Sequence, residues 1–314
     1  MKGNAISRKS RQKSRFAAFV VAALAVALLA MTLGACQAPS SSTGANNDAA
    51  SAGTGDNATS GNTGNEATPP AQLTPLKVGA SVAPHAEILE NIIPDLAAAG
   101  YDLQIIQYTD YVKPNLDTAA GDTQANYFQH QPYLDEFNKE QKTDLVSAGS
   151  IHFEPLGIYP GKTTALASLP DGGVVAVPND PTNEARALQL LAAQGLITLP
   201  ENAGWDITPK DIATNPKNLK FVEVEAAAVP RQLEEVDLGV INGNNAIAAS
   251  LDIKDALATE DAQSDAAQTY ANIVAVPKGH ENDPGIQALV KALASDKTRQ
   301  FIESKYSGAV VPVF

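Results

Sequence analysis

Aromatic side chains are scarce, at 5% of 314 residues, and tryptophan and cysteine occur once each. A single cysteine excludes a disulfide within the chain. The sequence has no GxSxG, no HExxH, no Walker loop and no GxGxxG after a strand, so the common hydrolase, zinc-protease and nucleotide-binding signatures are missing. Its acids show no spacing diagnostic of a paired acid and base. The four histidines, at 85, 130, 152 and 280, are spread along the chain, none with a second ligand at helical spacing, so no metal site is expected. Cations are outnumbered too: 22 Lys and Arg face 35 Asp and Glu, for a net charge of -13. That balance argues against nucleic acid or anionic lipid as a partner, since both select basic patches.

The N-terminus departs from this pattern. Six basic residues (Lys2, Arg8, Lys9, Arg11, Lys13 and Arg15) precede an apolar run from Phe16 to Leu33, with no acid before Cys36. This is the layout of an export signal, although a run of about 20 apolar residues could also span a bilayer as an uncleaved anchor. The run ends in Leu33-Gly-Ala-Cys36, which resembles a bacterial lipobox, so residues 1–35 are expected to be a lipoprotein signal and Cys36 the lipidated residue. Loss of six cations and no acid takes the exported part from -13 to -19. From Gln37 to Gln72 there is no Val, Ile, Leu, Met or aromatic residue. Such a stretch cannot bury enough apolar surface to order itself. Residues 36–75 therefore read as a tether, with a random-coil reach of about 30 to 35 Å.

Residues 77–314 number 238 and suffice for one large or two modest cores. Lys77–Ala80 and Leu103–Tyr108 read as strands around a helix from Pro84 to Ala99, which implies a parallel α/β sheet. The pattern restarts at Gly173–Val177, with a helix from Pro181 to Gln194 stopped by Gly195, and strands at Phe221–Val224, Leu238–Ile241 and Ile273–Val276. A long helical period from Asp283 to Tyr306 closes the chain. The restart predicts two α/β lobes: 76–168, 169–268, and a return of 269–314 to the first.

Some residues point to a ligand. Tyr127-Phe-Gln-His-Gln-Pro-Tyr-Leu-Asp-Glu-Phe137 concentrates rings in an aromatic-poor chain, and Gln129 to Pro132 break both apolar periods. A ligand-facing wall is the reading, although two of the rings could be core. In Pro178-Asn-Asp-Pro-Thr-Asn183, Asn179 or Asp180 can cap a helix whose first turns carry Asn183 and Arg186 on one face. A helix start with an amide and a guanidinium suits a carboxylate; the alternative is an ordinary surface ion pair with Glu184 or another acid. Asn242 follows a strand, where open α/β sheets place ligand contacts, or it is an ordinary turn residue.

Taken together, Pro84-His-Ala-Glu-Ile-Leu-Glu-Asn91, Asp110-Tyr-Val-Lys-Pro-Asn115, Ala125–Phe137, Pro178–Asn183 and Val240-Ile-Asn-Gly-Asn244 resemble the NlpA family of methionine-binding lipoproteins. The resemblance runs from about Lys77 to Pro312. It implies a two-lobed periplasmic-binding-protein fold, type II-like, with the ligand in the interlobe cleft. It also implies a lipid-anchored, extracytoplasmic, non-enzymatic protein that delivers L-methionine to a membrane-embedded ABC permease and its ATPase, without a cofactor. Tyr111, Phe128, His130 and Tyr133 would surround the methionine side chain, Arg186 with Asn183 would hold the carboxylate, and Asn242 and Asn272 would bind the polar end. The chain departs from many relatives at Asn245, where they carry Tyr, and at Pro160, which follows Tyr159 where they carry Ser. Other expectations kept open are a different small amino acid or methionine dipeptide, a metal-binding lipoprotein, and a hydrolase.

Overall fold

The computed structural model describes residues 72–314. The expected signal, the lipidated Cys36 and all of the tether up to residue 71 lie outside the described residues. In chain order the strands are β1 (Thr74–Ser81), β2 (Tyr101–Tyr108), β3 (Ala125–His130), β4 (Leu145–Phe153), β5 (Gly157–Pro160), β6 (Val174–Pro178), β7 (Lys220–Val224), β8 (Leu238–Ile241), β9 (Ala258–Thr259), β10 (Asn272–Pro277) and β11 (Val311–Pro312). The α-helices are α1 (Glu87–Asn91), α2 (Ile93–Ala98), α3 (Lys113–Ala120), α4 (Gln131–Gln141), α5 (Pro181–Ala193), α6 (Val229–Gln232), α7 (Gly243–Ala248), α8 (Asp265–Thr269), α9 (Pro284–Leu293) and α10 (Asp296–Tyr306).

Two sheets result. The first has the order β11-β4-β10-β3-β1-β2, and the second β7-β6-β8-β5-β9. β1 pairs in parallel with β2 and β3, and β6 with β7 and β8, as the strand–helix–strand patterns require. β3 and β8 are buried along their whole length, which is why their sequences run apolar or uncharged without alternation. β4 and β10 run antiparallel to their neighbours, because the chain leaves the first sheet after β4 and returns to it at β10.

Two segments thus connect the sheets, 154–156 and 260–271. β5 pairs with β8 and β9, so Gly157–Pro160 belongs to the second sheet. The lobe boundary expected after residue 168 falls beyond it, and Tyr159 and Pro160 sit at the end of that strand.

Local chemistry explains the other differences. The helix expected from Pro84 to Ala99 is broken at Ile92, since Pro94 near the start of α2 has no N–H to continue the α1 ladder. The long C-terminal period divides at Ser295, whose Oγ accepts from Thr298 N at 3.2 Å and starts a new helix. Ile286, Leu289 and Leu293 of α9 and Ile302 and Tyr306 of α10 join the core of the first sheet. Gly195, at φ +71°, turns left-handed just past α5 and stops it as expected. A second core packs α5 on the other sheet through Ala185, Leu188, Leu190 and Leu191.

Candidate functional site

The residues Tyr127 to Phe137 contain a strand-to-helix junction, and this is why both apolar periods fail there. β3 ends at His130, and α4 begins at Gln131 with Pro132 in its first turn. His130 caps α4: its Nδ1 accepts from Tyr133 N at 3.2 Å. Along β3 the side chains alternate, so Phe128 and His130 face the space between the lobes while Tyr127 points into the core of the first sheet. Phe137 packs behind Phe128 and Tyr133. Two of the rings are core, and the others form a wall. Tyr111 completes it, with ring centroids 5.8 Å from Phe128 and 5.9 Å from Tyr133.

Opposite the wall stands α5. Asp180 is its cap, accepting from Asn183 N at 3.0 Å, and Asn183 and Arg186 face the pocket from its first turns. Asn242 follows β8 and Asn272 opens β10. All eight residues singled out in the sequence (Tyr111, Phe128, His130, Tyr133, Asn183, Arg186, Asn242 and Asn272) line this one pocket.

Their hydrogen bonds differentiate them. Because His130 Nδ1 accepts, its Nε2–H donates to Asn183 Oδ1 at 3.2 Å, which also receives Asn242 Nδ2 at 2.7 Å. Asn183 Nδ2 donates to Asp180 at 2.9 Å. Asn183 is therefore fully engaged, and it aims Asn242 rather than offering free groups. Asn242 Oδ1 is buried and has no partner among the described residues. A buried acceptor without a donor is costly, by about 1–3 kcal/mol.

Arg186 shows a difference from expectation. Its Nε and Nη2 form a fork on Glu260, at 2.8 and 2.5 Å, and Nη2 also donates to the Glu154 carbonyl at 3.0 Å. The guanidinium stacks on Tyr270 at 4.0 Å. Its ion-pair partner is thus a buried acid in the second connecting segment, not Glu184 or a surface residue. A two-bond grip through the Nε edge is not open to a ligand; the free donors are on Nη1, which has no hydrogen bond among the described residues.

The lobes meet across the pocket mouth. Tyr111 Oη donates to Asn244 Oδ1 at 2.5 Å and accepts from Asn245 Nδ2 at 2.9 Å. Asn245 is thus the second half of an interlobe contact. Beyond Tyr111 lies a cavity of about 310 Å³ that also touches Ser81, Arg231 and Ala248.

One group was not found from the sequence. His85, His152 and Glu154 converge, with ligand-type atoms all within 4.8 Å of one another. The residues come from distant segments, so no local spacing announces them; His85 stands in the Pro84–Asn91 motif, but nothing there marks its role. Their atoms are committed to hydrogen bonds. His85 Nδ1 pairs with Ser81 Oγ at 2.6 Å and its Nε2 with Asn272 Oδ1 at 3.0 Å. His152 pairs through Nδ1 with Tyr127 Oη and through Nε2 with Glu154 Oε1, the latter at 2.7 Å. Burial lowers the histidines to about 4 for His85 and about 3 for His152, and pushes the Glu154 carboxyl up. His130 is lowered to about 3, by burial first and by Arg186 second. These are neutral imidazoles holding a network together.

Two α/β lobes joined by two segments, with the polar and aromatic residues gathered between them, define a solute-binding protein of the periplasmic type. The chain belongs to the NlpA lipoprotein family, whose model matches residues 76–314. It is similar to the methionine-binding lipoprotein MetQ of Bacillus subtilis, 43% identical over 242 residues that span 75% of this chain and 87% of that one. Among solved structures it resembles a nutrient-binding protein from Burkholderia cenocepacia bound to methionine, at 42% identity and a TM-score of 0.73, covering 76% of this chain and 100% of that one. It also resembles an ABC transporter periplasmic substrate-binding protein from Coxiella burnetii, at 40% identity and a TM-score of 0.72 over the same shares.

Proposed function

We propose that the protein is a lipid-anchored, extracytoplasmic binding protein that captures L-methionine between its lobes and delivers it to an ABC importer. The reading is not enzymatic: the polar residues at the pocket are arranged to hold charge and hydrogen bonds, not to activate a nucleophile. Support comes from the names of the relatives and from one observation above the others. An aromatic wall of Tyr111, Phe128 and Tyr133 faces a buried, donor-less Asn242 Oδ1 and an inward guanidinium within a single pocket.

The chemistry of each part suits a thioether amino acid. Sulfur at an aromatic edge is favourable by about 0.3–1.5 kcal/mol per contact. A zwitterion brings an ammonium donor for Asn242 Oδ1 and a carboxylate for Arg186 Nη1 and the amide of Asn272. The three contacts around Tyr111 and His130 that join the lobes support a closable cleft for the ligand, with the connecting segments 154–156 and 260–271 as the hinge.

The test is direct. Purified protein denatured in acid should release methionine detectable by mass spectrometry, or take it up in a calorimetric titration after the ligand has been stripped. Release of a different solute together with no uptake of methionine would refute the substrate. The anchor is tested separately: Cys36→Ala should abolish labelling by a fatty acid, and equal labelling of variant and parent would refute lipidation at that residue.

A further inference from the structure

The Glu154 carboxylate lines the pocket but has no place in the reading above. It is almost completely buried, at 5% exposure, which makes its surroundings decisive. Arg186 is the pocket's cation, and Glu260 already takes its fork at 2.5 and 2.8 Å. His152 Nε2 donates to Glu154 Oε1 at 2.7 Å, and His85 Nε2, whose hydrogen bond goes to Asn272, lies 3.4 Å away; burial lowers both rings, so neither brings a full charge. The amide of Asn244 at the start of α7 adds one more donor. Gly243 brings that amide close: a Cβ there would lie 2.7 Å from Glu154 Cβ and 3.0 Å from Oε2. The acid is thus oriented by hydrogen bonds from neutral groups, feels the Arg186 charge without a side-chain hydrogen bond to it, and faces the pocket. A carboxylate has about four acceptor sites, and the donors named occupy only part of them.

An uncompensated buried carboxylate is expensive unless a cation joins it. Asn242, also lining the pocket, has an Oδ1 without a donor among the described residues. Two acceptors, one of them a carboxyl group, describe a receptor for an ammonium.

We propose that Glu154 is the counter-ion of the ligand's α-ammonium, shared with Asn242 Oδ1, and that His85 and His152 are positioning residues that fix its carboxylate. The inference rests on an amino acid being the ligand of this cleft. It adds a requirement for a primary amine that the aromatic wall and Arg186 do not impose.

The test compares L-methionine with 2-hydroxy-4-(methylthio)butanoate, which replaces the ammonium by a hydroxyl and keeps the rest. Calorimetry on the purified full chain should show Glu154→Gln weakening methionine by about 30-fold or more, the scale for losing one partner of a buried charged bond. The hydroxy analogue should change by less than about threefold, because the charge that Glu154 meets is already gone. Equal weakening of both ligands, or no weakening of methionine, would overturn the proposal. Should Glu154→Gln fail to fold, a crystal structure of the parent protein with methionine decides: an ammonium nitrogen within hydrogen-bond distance of Glu154 supports the assignment, and one held only by amides overturns it. If the parent binds methionine neither as purified nor after stripping, the reading of the cleft falls first and this inference with it.

Discussion

Replacing Arg186 by Met should reveal how much of its value is structural. The Arg186 and Glu260 side chains are 4% and 10% exposed, so the pair is desolvated on both sides. Removing the guanidinium leaves Glu260 with Leu156 N, at 2.9 Å, as its remaining hydrogen-bond donor. Breaking a buried pair from one side costs about 3–5 kcal/mol, because a charge stays buried without its partner. The stacking on Tyr270 adds about 1 kcal/mol or more for a desolvated cation over a ring. Arg186→Met/Glu260→Gln behaves differently: both charges go, and the glutamine oxygen can still accept from Leu156 N. It should be destabilised by about 1–2 kcal/mol, less than Arg186→Met alone. Urea denaturation followed by circular dichroism, without ligand, measures all the variants, and the coupling energy follows from the cycle. Additive single-variant costs, or a cost below about 1 kcal/mol for Arg186→Met, would refute a buried and mutually dependent pair. Methionine at 100 times its Kd should then stabilise the parent by about 2.7 kcal/mol and Arg186→Met by much less.

Phe128→Ala should weaken methionine by about 1–3 kcal/mol, the loss of one buried apolar contact. The ligand-free melting midpoint should move by only a few degrees, and a fall of more than about 10 °C would make Phe128 core rather than wall. Tyr111→Phe removes the hydroxyl that meets Asn244 and Asn245 across the mouth; affinity should drop by about 5- to 100-fold, and unchanged affinity would show that this contact does not hold the cleft closed. Stability should also depend on pH. His85, His130 and His152 are lowered to about 4, 3 and 3, whereas the unfolded chain titrates its histidines near 6.5. The unfolded state therefore binds more protons as pH falls below 6.5, and stability that is complete above that value is lost on the way down to about 4 for His85 and about 3 for His130 and His152. Each ring contributes a slope of up to about 1.4 kcal/mol per pH unit. Glu154 and Asp180, both raised by burial, act with the opposite sign, since their contribution is lost as pH rises. Glu140 is raised by burial as well and acts with them, but the histidines begin to lose stability as soon as the pH falls below 6.5, so a net loss is expected between pH 7 and pH 5, and a urea midpoint equal at the two would refute it.

The periodic parts of the chain announced themselves. α5 was legible from its cap, its proline and Gly195, and β8 from four buried residues, because both signals are local. So were the pocket residues carried by contiguous motifs, Phe128 to Tyr133 and Asn183 to Arg186. β4 was not anticipated, since Leu145–Phe153 is buried at its ends and half-exposed between them, which gives no clean alternation. β5 was read as part of the first lobe because four residues after a short connection carry no sign of which sheet they will join. Least legible was the second layer: Glu260 reaches Arg186 across 74 positions and Asn272 reaches His85 across 187. Such contacts depend on the assembled topology, and no spacing rule within one segment can express them.

That second layer links the ligand contacts to closure. His130 belongs to the first sheet and Asn183 to the second lobe, and their bond aims Asn242 at the pocket. Tyr111 is part of the aromatic wall and also the residue that bridges to α7. The same side chains therefore face the ligand and hold the lobes together. Each neutral bond of this kind nets about 0.5–1.5 kcal/mol, so the three together supply a few kcal/mol. Moving a two-state cleft from 1:99 to 99:1 requires about 5.5 kcal/mol of differential affinity. A cleft with these bonds alone is poised rather than locked; on the proposed reading, an occupant with its acid at Arg186 and its amine near Glu154 would supply the difference. On that proposal a ligand lacking either charge would fill the aromatic wall but leave closure incomplete, so selectivity and closure would rest on the same contacts.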